Sequence, residues 1–91
     1  MKEETIKFYL REVCDTINEV FKTANINYSV DDYNKPLTGE PFSLNGINMV
    51  YLFMGLERRL GKPIYIPVED KYCFFTIRTI AEFLTNQSSS N

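Results

Sequence analysis

Apolar residues recur early in the chain at intervals of four and three: Ile6, Leu10, Val13, Ile17, Val20 and Ala24. That spacing draws one stripe down a helix, predicted from Glu3 to Ala24, with Lys and Arg, Asp and Glu mostly on the other faces. The stripe lasts only about three heptads, too few for an extended coiled coil and suited to a small bundle. From Asn25 to Leu44 the pattern breaks into turn formers (Asn25, Asn27, Asp31, Asp32, Asn34, Pro36, Gly39, Pro41) with Tyr28, Val30, Tyr33, Leu37 and Phe42 spaced among them. A connection this long is uncommon unless functional or pinned, and these apolar residues are the expected pins.

A second helix is predicted from Gly46 to Leu60. Asn45 or Ser43 caps its start, Gly61 supplies a left-handed stop, and Pro63 follows. Its first half is apolar almost all round (Ile47, Met49, Val50, Tyr51, Leu52, Phe53, Met54), so it is either fully surrounded or keeps a face for a partner. Ile64 to Pro67 reads as extended, and Pro67-Val68-Glu69-Asp70 suits the start of a short helical turn. Thr76 caps a final helix from Ile77 to about Thr85, with Ile77, Ile80, Ala81 and Leu84 inward. The polar, Ser-rich residues 86–91 read as a disordered tail, leaving one domain over 1–85. The architecture expected is an all-α, four-helix bundle: three longer helices, one short one, and a long loop between the first two.

Composition narrows the function classes. In 91 residues the net charge is −2 with no basic block, which argues against nucleic-acid binding. The longest apolar run, Met49 to Met54, is too short to span a bilayer, and no basic-then-apolar signal opens the chain, so the expected location is the cytoplasm. Cys14 and Cys73 lie far apart without CxxC spacing and read as reduced thiols. With no histidine, the commonest general base and the usual mixed metal sites are missing, so neither an enzyme nor a metal site is expected. Asp31-Asp32 and Glu69-Asp70 are acid pairs without ligand spacing, better explained by solvation or capping. Tyr65, Tyr72, Phe74 and Phe75 are bulky enough to close a core.

The run Asn45-Gly46-Ile47, followed by Met49-Val50-Tyr51-Leu52-Phe53-Met54-Gly55-Leu56-Glu57-Arg58-Arg59-Leu60-Gly61, resembles the acyl carrier protein signature. In that family an Asp-Ser-Leu triplet opens the second helix and a Leu-Glu pair lies near its end. Ile66-Pro67-Val68-Glu69-Asp70 and Thr76-Ile77 resemble the family's later segments, so the likeness covers about Leu44 to Leu84. Pro36-Leu37-Thr38-Gly39-Glu40-Pro41-Phe42 looks more particularly like carrier-related proteins of peptide maturation systems.

Counting back from Glu57, the resemblance places the family's modified serine on Gly46, its preceding Asp on Asn45 and its following Leu on Ile47. The serine hydroxyl receives 4'-phosphopantetheine, and glycine offers nothing to modify. The resemblance therefore implies a degenerate, monomeric carrier without a cofactor, docking on a biosynthetic or peptide-maturation enzyme. The alternative is a working acyl or aminoacyl carrier modified at an atypical serine, Ser43. Ile47, Tyr51, Met54 and Arg58 share one stripe of the second helix and are the expected docking residues. Tyr51 stands where carriers have an acid, and Arg58, Arg59 and Lys62 make the helix end basic. In carriers the segment around Tyr65–Phe75 lines an acyl-chain cavity, which these rings are expected to fill.

Overall fold

Among the described residues three α-helices carry the fold: α1 (Lys2–Val20), α2 (Gly46–Leu60) and α3 (Ile77–Ser89). The computed structural model describes residues 2–64 and 75–89, and no strand occurs among them. The short helix expected at 67–70 lies outside the described residues, as do Tyr65, Tyr72, Cys73 and Phe74. The radius of gyration, 12.4 Å, is close to the ~12 Å of a folded chain this long.

α1 is the central element and packs on both other helices. Its inward face is Tyr9, Val13, Thr16 and Ile17, while Ile6, Leu10 and Val20 are half-buried at the edges. The helix stops at Val20 rather than Ala24. After Phe21 the chain tightens into a 3₁₀ turn over Lys22–Ala24, closed by Asn25 in the left-handed region, and Ala24 is exposed. Asn tolerates that conformation better than most residues, which makes it a ready stop.

The connection from 25 to 44 is pinned as its apolar residues suggest, with one exception. Leu37, Phe42 and Leu44 are buried, Tyr28 and Tyr33 half-buried, but Val30 is exposed. Val30 opens a 3₁₀ turn (Val30–Asn34) whose direction is fixed by a capping box: the Ser29 N–H donates to Asp32 Oδ2 at 3.0 Å. Lys35 Nζ meets the same carboxylate at 2.8 Å, so Asp32 is a capping acid. Two backbone bonds then fasten the loop: the Leu37 N–H donates to the Phe75 carbonyl just before α3, and the Leu44 N–H to the Leu37 carbonyl, both at 2.9 Å.

α2 has the expected bounds, ending on Gly61 at φ 69°, whose N–H donates to the Glu57 carbonyl. It packs on α1 and buries Met49, Leu52, Phe53 and Leu56 in the common core. Phe75 sets its ring edge-on to Phe53 at 5.6 Å, so it does help to close the core. Thr76 caps α3 as predicted: its Oγ1 accepts from the Thr79 N–H, and its N–H donates to Thr79 Oγ1. The predicted disordered tail is corrected in part. Residues 86–89 continue α3, because Leu84 and Thr85 are still buried, the Thr85 hydroxyl bonds the Ala81 carbonyl, and no Gly or Pro interrupts the turn.

Candidate functional site

The corner where α2 begins is built by two asparagines. The Asn48 N–H donates to Asn45 Oδ1 at 2.8 Å, and the Asn45 N–H donates to Asn48 Oδ1 at 3.0 Å, a reciprocal box that fixes the helix start. Asn45 is therefore the cap, and Gly46 is the first residue of the helix. Gly46 is exposed, and a β-carbon added there would meet nothing within 4 Å. A serine would fit without strain, so packing does not demand this glycine. Ser43 belongs to the preceding turn: its backbone is left-handed (φ 53°), its N–H donates to the Gly39 carbonyl at 2.7 Å, and the residue is exposed.

From this corner the outer face of α2 runs along Ile47, Tyr51, Met54 and Arg58, steps of four, three and four that keep one line on the helix. Ile47 is 65% exposed, Tyr51 53%, Met54 48%, and Val50 beside them 42%. Four sizeable apolar side chains thus stand in water on a helix whose other face is core. Isolated exposed apolar residues are ordinary; these four lie together on one face of one helix.

The charges at the helix end separate into two sets. Arg59 turns away from the outer face and lies across α1, its Nε 3.1 Å from Glu12, its Nη2 3.6 Å from Asp15 and its Nη1 3.6 Å from Glu19. Lys62 turns the same way, with Nζ 6.0 Å from the centre of the Tyr9 ring. The end of α2 is basic as expected, but Arg59 and Lys62 face α1, because the acids and the ring they meet lie there. Arg58 stays exposed on the outer face. The helix's one acid, Glu57, accepts the Ile64 N–H on Oε2 at 2.8 Å and ties down the chain beyond the helix.

Where α1 and α2 cross, Gly55 makes a close approach that sequence reasoning missed. A β-carbon there would lie 2.9 Å from Val20 Cγ2 and 3.0 Å from Thr16 Cγ2. A glycine in mid-helix was the available signal, since it weakens the helix and so implies a reason.

A second cluster ties the long connection to α1. The Tyr28 hydroxyl lies 3.2 Å from both the Cys14 carbonyl oxygen and Asn18 Oδ1. A hydrogen bond with the Cys14 thiol, then burial, pushes the Tyr33 phenol up to about 12. Burial, followed by the neighbouring Cys14, also pushes Tyr28 up. Cys14 is a free, half-buried thiol. Open depressions, such as one of about 330 Å³ lined by Glu3, Ile6, Lys7, Leu10 and Arg78, lie along α1 and α3. Among the described residues no group of three potential metal ligands converges, and no helix is long and apolar enough to cross a membrane.

Comparison with known proteins returns no matching family model, no similar curated protein and no similar solved structure.

Proposed function

We propose that the chain is a non-enzymatic docking module, a degenerate acyl-carrier-type bundle that lacks a covalent arm and binds a biosynthetic or peptide-maturation enzyme through the outer face of α2. In this reading the stretch between α2 and α3 supplies the short fourth helix of the carrier arrangement. The observation that carries it is Gly46: the first residue of α2, exposed, with open space where a side chain would stand. Packing at this corner therefore does not exclude the hydroxyl that the family carries. The exposed line of Ile47, Tyr51 and Met54 adds a face suited to a protein partner.

The test is an intact-mass measurement after incubation with coenzyme A and a broad phosphopantetheinyl transferase. The natural chain gains no mass, and Gly46→Ser, which the site accommodates, gains one pantetheine arm on the new hydroxyl. A pantetheine-sized gain mapped to Ser43 in the natural chain overturns the proposal in favour of a working carrier.

A further inference from the structure

We propose that the partner covering the outer face of α2 is a helix with an apolar stripe flanked by carboxylates, one of which pairs with Arg58. This rests on the docking reading above and names the partner's chemistry. The steps of four, three and four from Ile47 to Arg58 are those of a coiled-coil seam, and their eleven rises span about 16 Å. An apolar helix of three turns matches that length and shape.

Charge selects between such helices. Glu57 is held by the Ile64 amide, and Arg59 and Lys62 face α1, so Arg58 is the charge left on the line. An approaching apolar surface strips water from its guanidinium, a loss that a carboxylate offsets and a lysine compounds. Along α2 itself, a second copy of this chain does not supply that carboxylate. Packed parallel, Arg58 meets the other Arg58; packed antiparallel, it meets the Ile47 end, where residues 43–50 contain no acid.

The probes are two synthetic amphipathic helices with one leucine stripe, flanked by glutamates in the first and by lysines in the second. Backbone nitrogen–proton spectra of the full chain locate the binding, and titrations at low and high salt rank it. The glutamate helix shifts the amides of 47–58 and binds about two- to fivefold tighter than the lysine helix, as expected for a rim charge pair. The gap closes in high salt and reverses in Arg58→Glu, while Met54→Asp weakens both. Equal affinity, or preference for lysine, with shifts still on α2 overturns the charge assignment and leaves the docking face standing. No α2 shifts with either peptide overturns both. A dimer in sedimentation equilibrium that Met54→Asp dissolves makes a second copy the occupant and overturns the proposal.

Discussion

Gly46 and Gly55 lie nine positions apart in one helix and answer to different physics. At Gly55 two stiff neighbours stand where a β-carbon would go, Val20 Cγ2 at 2.9 Å and Thr16 Cγ2 at 3.0 Å. Forcing a methyl into such a contact costs about 1–3 kcal/mol, whereas replacing glycine by alanine in mid-helix returns about 1 kcal/mol. Gly55→Ala is thus expected to lose on the order of 1 kcal/mol in urea unfolding. Gly46→Ala, with nothing to meet, stays within a few tenths of zero. If Gly55→Ala is instead more stable than the natural chain by about 1 kcal/mol, the helix gain comes with no clash and the helices do not cross where described. Neither role can be told from the residue alone. Gly46 needs only the pattern of its own helix to be placed, but Gly55 needs the facing residues of α1, which lie more than thirty positions away.

At the scale of elements, local signals were enough for α2 and insufficient at the free ends of α1 and α3. Asn45 and Gly61 are short-range devices, so both limits of α2 could be read from the sequence. The apolar stripe of α1 runs on to Ala24, yet the helix ends at Val20 because a 3₁₀ turn and a left-handed Asn25 intervene. α3 outlasts its stripe because burial of Leu84 and Thr85 holds the next turn. Val30 departs from its apolar pattern for a related reason, since a capping box, not hydrophobicity, orients it. The attachment of the 25–44 connection to α1 through Tyr28 and Tyr33 has a pH signature. Both phenols are raised in the folded state, from about 10 in the unfolded chain. The stabilisation is therefore complete below pH ~10 and is lost as pH rises through about 12 for Tyr33. In an alkaline titration followed by ultraviolet absorbance and circular dichroism, these two phenols should ionise only as helix is lost. Replacing both with Phe should remove the steep part of the decline. Ionisation of all six tyrosines near pH 10 with the helices intact would contradict this packing.

For the molecule as a whole, Leu37 is the joint. Its side chain is fully buried, its N–H bonds the Phe75 carbonyl and its carbonyl accepts from Leu44. The loop, the entry to α3 and the segment leading into α2 therefore share one residue. Leu37→Ala should cost about 2–5 kcal/mol, a large part of the roughly 5–15 kcal/mol that a domain has to lose. It should lower the single urea transition without splitting it; early release of the loop, with the helices unfolding later, would show that the connection is not part of the cooperative unit. The all-helical class was legible from periodicity. The exposed outer face of α2 was legible only as a line of residues, because which charges remain on it depends on what α1 offers across the crossing. That crossing has a consequence for how the sequence can drift. Three carboxylates, one on each successive turn of α1, stand around the single guanidinium of Arg59. Any one of them can be exchanged while two remain, so tolerance belongs to the acids severally, and constraint falls on the arginine they have in common.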